Sequence, residues 1–380
     1  MKIRDFGVEM WMNEYENDCE INLAETCVKP FTVREILEMG GDAQATWDSF
    51  LDLQLSYGEI FGSDSLRYEL SQLYETMKPQ NIVLTHGAIG ANDLTINSIV
   101  SPGDRVISVL PTYQQLYSIP ESLGAEVKIC KLDPDNGFMP DLDEMRSYAS
   151  ENTSLICINN PNNPSGALMT KEFMEEVVSI AQSCNAYLLC DEAYRGLNHS
   201  EYGNNFAPAM VDLYEKGVSI GSFSKAFSLA GLRLGWVAAH EELVERIERR
   251  RDYNTISCGR LDDRIATIAL QNKDKLFNRS LKIVNDNADA LDAWVASEPR
   301  ISYVKPAAGT TAFLKYDLPI DSKTFCKRLQ SETGVMLLPG AVMDMEGWLR
   351  IGYCFAEDSK MLVEGLKRVS QFMEKVAHEQ

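Results

Sequence analysis

The chain has 380 residues, of which 45% are hydrophobic and 24% charged, so its composition is that of a globular protein and excludes a disordered or fibrous chain. Acidic residues outnumber basic ones by 56 to 36, a formal net charge of -20, which disfavours binding to nucleic acid or to an anionic membrane. This acidity indicates solubility first; a preference for cationic substrates is a second interpretation, which net charge alone does not support.

The cysteines and the N-terminus indicate the cellular compartment. Nine cysteines are scattered along the chain without a C-x-x-C pair, and several lie inside apolar runs such as LICI and YLLC. This pattern is typical of buried thiols in a reducing compartment, so we predict neither disulfides nor a metal site. The first twenty residues contain no apolar signal core, and no run approaches the ~18 apolar residues of a membrane span. We therefore expect a cytoplasmic protein.

Short apolar segments alternate with amphipathic ones through the first two thirds of the chain. Amphipathic stretches at 65–77 and 171–183 predict helices. Short apolar strands bounded by turn residues are typical of strands buried on both faces, so the alternation predicts a mostly parallel α/β sheet. The predicted strands are 82–84, 106–109, 127–130, 155–158, 187–190, 218–223 and 235–238.

The pattern changes near residue 240. Long charged helices are predicted there, and shorter strands and one more helix follow. We therefore predict a large domain over residues 46–275 and a smaller α+β domain that includes residues 276–380. The predicted helices are 241–251, 261–294 and 322–333, and the predicted strands are 301–304, 311–316 and 349–353.

The most specific motif is SFSK at 222–225, followed by GLRLGW at 231–236. Lys225 follows a buried strand, where an ammonium is costly to desolvate, and carbonyl cofactors use such a lysine for covalent catalysis. Ser222, Ser224 and Arg233 can together surround one phosphate dianion. A lysine on a solvated turn is the alternative, and the complete string argues against it.

Asp191 and Tyr194 follow the predicted strand 187–190 in the string CDEAY. Ligands of open parallel sheets bind beyond the carboxyl ends of the strands. An aspartate at this position can keep a pyridine nitrogen protonated, and a tyrosine three residues later can donate to the ring oxygen. The alternative is that Asp191 caps a helix. Its position 34 residues before Lys225 favours the site.

Two further loops follow predicted strands. The loop NNPNNPSG at 159–166 has a restricted backbone, and Asn163 can direct its amide at a ligand oxygen; an ordinary Asn-Pro turn is the alternative. The loop THGAIG at 85–90 precedes a likely helix, and the backbone N–H groups of Gly87–Ile89 can approach a phosphate. We interpret His86 as structural, since no partner for it is evident from spacing.

Tyr113 and Arg350 complete the candidate residues. Tyr113 follows strand 106–109 and can stack on a flat ring, although a core or surface tyrosine is equally compatible with the local sequence. Arg350 lies inside the short apolar strand 349–353, where its charge requires an anion. That anion is either a substrate carboxylate held by two hydrogen bonds or the partner of an internal salt bridge.

Together these motifs resemble the class I and II aminotransferases, which are fold-type I enzymes dependent on pyridoxal 5'-phosphate (PLP). The resemblance covers nearly the whole chain, and its specific parts are NPNNPSG, DEAYRG and SFSKAFSLAGLRLGW. It implies that Lys225 binds PLP covalently, that Asp191 is the partner of the pyridine nitrogen and that Arg350 binds the α-carboxylate. The other implied contacts are those of Tyr194 and Asn163 with the ring oxygen (Asn163 also with substrate), of Tyr113 with the ring face, and of Ser222, Ser224, Arg233 and the backbone of Gly87, Ala88 and Ile89 with the phosphate.

The resemblance also implies how the chain assembles. It implies that residues 1–45 pack against the small domain, and that the protein is a homodimer in which Tyr57 reaches the phosphate in the neighbouring subunit. The segment Asn22–Val28 stands where many members carry a Gly- or Asn-Pro-rich segment that touches substrate. No arginine matches the position that holds a second carboxylate in dicarboxylate-specific members: residues 252–254 occupy that region, with Arg260 nearby.

The resemblance implies a PLP-dependent aminotransferase that moves an amino group between an L-amino acid and a 2-keto acid by a ping-pong mechanism. The alternative is a PLP-dependent carbon-sulfur or carbon-oxygen lyase or cyclase, acting by β-elimination or replacement, because the N-terminal segment also resembles members related to capreomycidine synthase. A ligand-sensing transcription regulator would need a DNA-binding segment, for which we see no room, and the acidic charge opposes it. A scaffold that has lost PLP is opposed by the intact lysine, aspartate and arginine.

Overall fold

The computed structural model describes residues 3–203 and 206–379. Its strands are β1 (Ile21–Asn22), β2 (Ile82–Thr85), β3 (Arg105–Leu110), β4 (Glu126–Lys131), β5 (Thr153–Asn159), β6 (Tyr187–Asp191), β7 (Gly217–Ser222), β8 (Gly235–Ala238), β9 (Ile301–Tyr303), β10 (Thr311–Tyr316), β11 (Val335–Met336), β12 (Leu338–Pro339) and β13 (Trp348–Gly352). Its α-helices are α1 (Gly7–Tyr15), α2 (Val33–Met39), α3 (Ala43–Leu51), α4 (Asp64–Ser71), α5 (Gly87–Ile99), α6 (Gln115–Ser122), α7 (Leu142–Tyr148), α8 (Lys171–Ser183), α9 (Met210–Leu213), α10 (Glu241–Arg251), α11 (Arg260–Gln271), α12 (Lys273–Ser297), α13 (Ser322–Thr333) and α14 (Lys360–His378).

Seven strands form the central sheet in the order β2-β8-β7-β6-β5-β3-β4. The neighbours from β7 to β4 run parallel, and only β8 is antiparallel to the strands on either side of it. All seven strands were predicted, and their ends differ from the prediction by at most two residues. The expected α/β fold with a mostly parallel sheet is therefore confirmed.

Successive side chains of a strand point to opposite faces of the central sheet, and helices pack on both faces, so the fold has three layers. On β5, Leu155 packs with apolar residues of α5 and α10, while the next residue, Ile156, packs with those of α7 and α8 on the opposite face. Helix α8 shows how local sequence supports this packing: Thr170 caps its first turn by accepting a hydrogen bond from the Phe173 amide, and Met174 is among the buried apolar residues of one face. Because both faces of the sheet are covered, the strands read as continuous apolar runs.

The C-terminal region contains a second, antiparallel sheet in the order β12-β13-β10-β9. Strand β1 pairs with β11 in parallel, with Ile21 opposite Val335, so the N-terminal segment lies beside this region. The domain boundaries at 46 and 275 remain a prediction. No helix within residues 3–203 and 206–379 is both long and apolar enough to cross a membrane.

Two predicted helices were wrong in extent. The predicted helix 261–294 is two helices, α11 and α12, separated at Asn272. The Asn272 side chain donates to the Ile268 carbonyl at 3.0 Å, a local hydrogen bond that competes with continuation of the helix. The predicted helix 65–77 ends at Ser71, where α4 stops and turns follow. No helix was predicted at the positions of α1, α2, α3, α6, α7, α9 and α14.

Candidate active site

The candidate site lies at the carboxyl edge of the central sheet. Strands β2, β3, β5, β6 and β7 end at this edge, and β8 begins there. The segments that follow them enclose a cavity of about 370 Å³, a size typical of small-molecule sites. The structure brings every predicted site residue except Tyr57 to this cavity: Gly87, Ala88, Ile89, Tyr113, Asn163, Asp191, Tyr194, Ser222, Ser224, Lys225, Arg233 and Arg350.

Lys225 lies three residues beyond β7 and reaches into the cavity. Its Nζ donates to Thr26 Oγ1 at 2.6 Å and to Cys27 Sγ at 3.3 Å, and it lies 5.9 Å from the centre of the Tyr194 ring. Burial alone would lower the pKa of this amine, but electrostatic attraction to Cys27, Tyr194 and Glu25 holds the pKa above its ordinary value. The free amine is therefore protonated at neutral pH.

Asp191 is the last residue of β6 and is 4% exposed. Its carboxylate accepts hydrogen bonds from Asn92 Nδ2 at 2.8 Å and from the Ala193 amide at 3.1 Å. Burial raises the pKa of this carboxyl. Among the described residues, no lysine, arginine or histidine lies within 4.0 Å of it. A buried carboxylate of this kind can hold a proton on a ligand nitrogen.

The predicted phosphate site forms where the N-terminus of α5 meets the loop after β7. Gly87 starts α5 with φ +70, and a Cβ on it would lie 3.4 Å from Arg233 Nη2, so the guanidinium lies directly beside the helix terminus. Ser222 Oγ accepts a hydrogen bond from the Ser224 amide at 3.1 Å, which orders the two serines. A Cβ on Gly235 would collide with the Gly87 carbonyl carbon, so glycine is required for this close approach. Positive charge and helix N–H groups together favour a phosphate here.

Arg350 lies in β13 and is 4% exposed. Nη1 donates to Asn163 Oδ1 at 3.4 Å and Nη2 donates to the Ala24 carbonyl at 3.1 Å, while Nε is buried and has no partner among the described residues. Burial lowers the pKa of this guanidinium, and no carboxylate of the described chain lies within ion-pairing distance to compensate. Of the two interpretations from sequence, the ligand carboxylate is therefore supported and the internal salt bridge is not.

Helix α1 forms one wall of the cavity, which the sequence did not predict. Tyr113 Oη donates to Glu9 Oε1 at 2.7 Å, and the Tyr113 ring lies 4.8 Å from that of Phe6. Met12, Asn13 and Glu16 also line the cavity. Helix α1 packs on β12, far away in sequence, so its part in the site is a tertiary contact without a local motif.

The segment Asn22–Val28, which the resemblance places where many members touch substrate, forms a second wall of the cavity through Ala24, Glu25, Thr26 and Cys27. Asn22 Oδ1 accepts hydrogen bonds from the amides of Ala24 and Glu25 at 2.9 and 3.0 Å, which fixes a tight turn. A Cβ on Gly352 would collide with the Glu25 carbonyl oxygen, so the segment lies directly against the end of β13. The signal in the sequence was that this segment departs from the family pattern at a place where many members touch substrate.

Tyr57 lies outside the cavity. It is 80% exposed and lines a separate surface groove together with Ser63, Cys258 and Arg260. A single chain therefore does not bring Tyr57 to the other site residues, and its role in a neighbouring subunit stays a prediction. Arg260 Nη1 donates to the Gln54 carbonyl in this groove and does not line the cavity.

These features fit PLP at three points. Asp191 has no cationic partner among the described residues, and the protonated ring nitrogen of PLP would provide one. The phosphate would be held by Arg233 and the start of α5, which Gly235 allows to pack closely against β8. The carboxylate of a bound amino acid would satisfy the unpartnered Arg350 Nε. Burial of unpaired charge is costly, so each point is better explained by a ligand than by the protein alone.

Comparison with known proteins agrees with this fit. Residues 52–367 match the family model of aminotransferase class I and II. The chain is 31% identical to capreomycidine synthase of Streptomyces vinaceus over 96% of this chain and 92% of that protein. A crystal structure of a PLP-dependent aminotransferase from Streptococcus suis 89-1591 superposes with a TM-score of 0.95 and 38% identity, covering 99% of both chains. A crystal structure of the PLP-dependent cyclase OrfR shares the fold, with a TM-score of 0.89, 22% identity and coverage of 99% and 98%. The chain therefore belongs to the class I and II aminotransferases, a family of fold-type I enzymes that depend on PLP.

Proposed function

We propose that this chain is an aminotransferase that moves an amino group from an L-amino acid to a 2-keto acid in two half-reactions. The observation that carries the proposal is that the Lys225 amine, the Asp191 carboxylate and the Arg350 guanidinium line one cavity of about 370 Å³. When bound, PLP supplies a carbonyl that bonds to an amino group and a ring that accepts an electron pair. The residues around it decide which bond of the substrate reacts.

Each residue has a separate task in this proposal. Arg350 binds the α-carboxylate with two parallel hydrogen bonds and so fixes the amino acid in one orientation. Asp191 would keep the ring nitrogen of PLP protonated, and Tyr194 and Asn163 would hold the ring oxygen. Lys225 would carry the cofactor; as a free amine it would take the proton from the α-carbon of the substrate and return it, which would make it both general base and general acid.

The residues proposed to hold the phosphate and the segments that form the walls of the cavity support the same reaction. Ser222, Ser224, Arg233 and the α5 N-terminus would hold the phosphate independently of the bond to Lys225. Helix α1 and the segment Asn22–Val28 form further walls of the cavity. Limited water in a site of this kind strengthens each charged contact and protects the reacting carbon from side reactions.

A second candidate function is a PLP-dependent lyase or cyclase, favoured by the 31% identity to capreomycidine synthase. Such an enzyme uses the same cofactor residues and differs in the group that leaves the substrate. The two functions differ in their need for a keto acid: a lyase or cyclase turns over without one, whereas an aminotransferase stops after one half-reaction.

The test uses the PLP-loaded protein and its absorption spectrum. Single amino acids are added without a keto acid; stoichiometric loss of the visible band together with one equivalent of keto acid supports transamination. Continued turnover with release of ammonia or another leaving group supports the lyase or cyclase. Lys225→Ala should abolish the visible band and slow the half-reaction at least about 10³-fold, as for loss of a general base. Wild-type turnover by this variant, beside a Lys216→Ala control at the surface, would overturn the assignment.

A further inference from the structure

Three glutamates line the cavity on segments that lie outside the central sheet. Glu9 lies on α1, Glu16 directly follows α1, and Glu25 lies in the turn before Lys225's partners Thr26 and Cys27. Each is half-buried. Among the described residues, no lysine, arginine or histidine lies within 4.0 Å of any of these three carboxylates.

The hydrogen bonds of these carboxylates leave acceptor atoms available. Glu25 Oε1 accepts from the Cys27 amide at 2.6 Å and Glu9 Oε1 accepts from Tyr113 Oη at 2.7 Å, while Oε2 of each has no donor among the described residues. No donor of the described chain bonds to the Glu16 carboxylate either. Carboxylates in a partly desolvated cavity are stabilised by a cationic donor.

The cations of the cavity are all assigned to other tasks. Those among its described lining residues are Lys225, Arg233 and Arg350. In the proposed function Lys225 bonds to PLP, Arg233 holds the phosphate and Arg350 binds the α-carboxylate. No lining cation then remains for the glutamates, or for a carboxylate in a substrate side chain.

The position of Arg350 relates the glutamates to the substrate. Its buried Nε has no partner, which marks the place of the α-carboxylate, and its Nη2 donates to the carbonyl of Ala24, the residue before Glu25. The carboxylate site and Glu25 are therefore contiguous. Glu9, Glu16 and Glu25 line the same cavity as this carboxylate site and are therefore available to a substrate side chain.

We propose that Glu9, Glu16 and Glu25 bind the positively charged end of the substrate side chain, so that the substrate is an amino acid carrying an amine or a guanidinium. This subsite rests on the proposed function in one respect, the binding of the α-carboxylate by Arg350. It deepens that function by naming the substrate class, and it holds equally for an aminotransferase and for a lyase or cyclase.

The test compares amino acids of equal size and different charge on the PLP-loaded protein. The pairs are L-arginine with L-citrulline and L-ornithine with L-norleucine, and L-glutamate is the anionic probe. Binding is measured from the change in visible absorption, and α-proton exchange in D₂O is followed by NMR. In at least one pair we expect the cationic member to bind at least about 10-fold more tightly, the factor equivalent to 1.4 kcal/mol, and L-glutamate to bind more weakly than both.

Variants then test whether the glutamates cause the difference in affinity between the cationic and the neutral amino acids. The double variant Glu16→Gln/Glu25→Gln should reduce the binding ratio at least about five-fold, through loss of charge-assisted hydrogen bonds. Glu14→Gln is the matched control, since Glu14 is on α1 but exposed and outside the cavity. The single variant Glu16→Gln keeps the test valid if the double variant does not fold, and an unchanged affinity for the neutral member shows that the site is intact.

The subsite and the proposed function fail in different ways. Ratios below 10-fold in both pairs, tighter binding of L-glutamate, or a ratio that the glutamine variants leave at the value of Glu14→Gln would overturn the subsite. Selective binding and α-proton exchange without keto-acid formation would retain the subsite and overturn transamination. Absence of any spectral change with all five amino acids would overturn both.

Discussion

Asn92 Nδ2 donates a hydrogen bond to Asp191 Oδ2 at 2.8 Å, although the two residues are 99 positions apart. Asn92 lies on α5 little more than one turn beyond Gly87. The helix whose first turn forms part of the proposed phosphate site therefore also orients the carboxylate that we propose as the partner of the ring nitrogen. One helix links the two ends of the proposed cofactor site.

Removal of the hydrogen bond between Asn92 and Asp191 should weaken the binding of PLP. In Asn92→Ala, the Asp191 carboxylate loses a donor, so its pKa, which burial already raises, should rise further. A protonated Asp191 cannot stabilise a protonated ring nitrogen. We expect PLP to bind about 10-fold more weakly, as for loss of one hydrogen bond to a charged group. PLP titration of Asn97→Ala, on the same helix, is the control; equal affinity in both variants would contradict the prediction.

Gly235 and Gly231 form a matched pair. An added Cβ at Gly235 would lie 2.5 Å from the Ala88 amide nitrogen, whereas one at Gly231 would meet no atom within 4 Å. We expect Gly235→Ala to lower the free energy of unfolding by about 1–3 kcal/mol, the usual cost of overpacking, and to weaken PLP binding. Urea unfolding and PLP titration measure the two effects. Gly231→Ala should show neither, and a similar loss in both variants would refute the steric explanation.

Arg350 should affect substrate affinity without affecting the cofactor. Arg350→Lys keeps the charge but loses the two-pronged donor geometry, so amino-acid binding should weaken about 10-fold or more. The visible spectrum with PLP should stay unchanged, because Arg350 touches the substrate and not the ring. Arg300→Lys is the control, since Arg300 pairs with the buried Glu298 and does not line the cavity. Altered PLP absorption in Arg350→Lys would contradict the assigned role.

Glu192 should make stability depend on pH. Its carboxylate is buried beside Asp191, and burial raises its pKa from 4.5 to about 7. Between these two pKa values the unfolded chain releases this proton and the folded chain keeps it. The free energy of unfolding therefore falls as pH rises, by about 3 kcal/mol in total, and the loss is complete above the folded pKa.

Glu192→Gln should remove this loss, since an amide does not titrate but its oxygen can still accept from Ser219 Oγ and the Met210 amide. Urea unfolding of wild type and variant at several pH values from 5 to 8 measures the difference in unfolding free energy. That difference should move in favour of the variant as pH rises. A constant difference across this range would show that Glu192 titrates normally.

Local patterns were sufficient for much of the fold and of the cofactor site. Asp191 ends β6, Lys225 closely follows β7 and Arg233 closely precedes β8. These strands are buried on both faces and are bounded by recognisable turns, so strand and site residue could be predicted together. The ends of the helices were harder to predict from the sequence. The break at Asn272, for example, depends on a single side-chain hydrogen bond inside an otherwise amphipathic run. Tyr57 shows another limit, because its predicted role requires a second chain.

The α/β class and the seven sheet strands could be predicted from the sequence alone, because period, turn chemistry and strand ends are local properties. The candidate cofactor residues could be predicted from motifs at the strand ends and from the family resemblance. The complete fold was needed to show that Asn92 supports Asp191, that Arg350 lies beside Ala24, and that Glu9, Glu16 and Glu25 share one cavity. These contacts join segments up to 326 positions apart. The first arises from the packing of α5 on the central sheet, and the others from the packing of α1 and the Asn22–Val28 segment near the C-terminal sheet. Such packing is set by the shape and burial of the complete fold, for which no short motif exists.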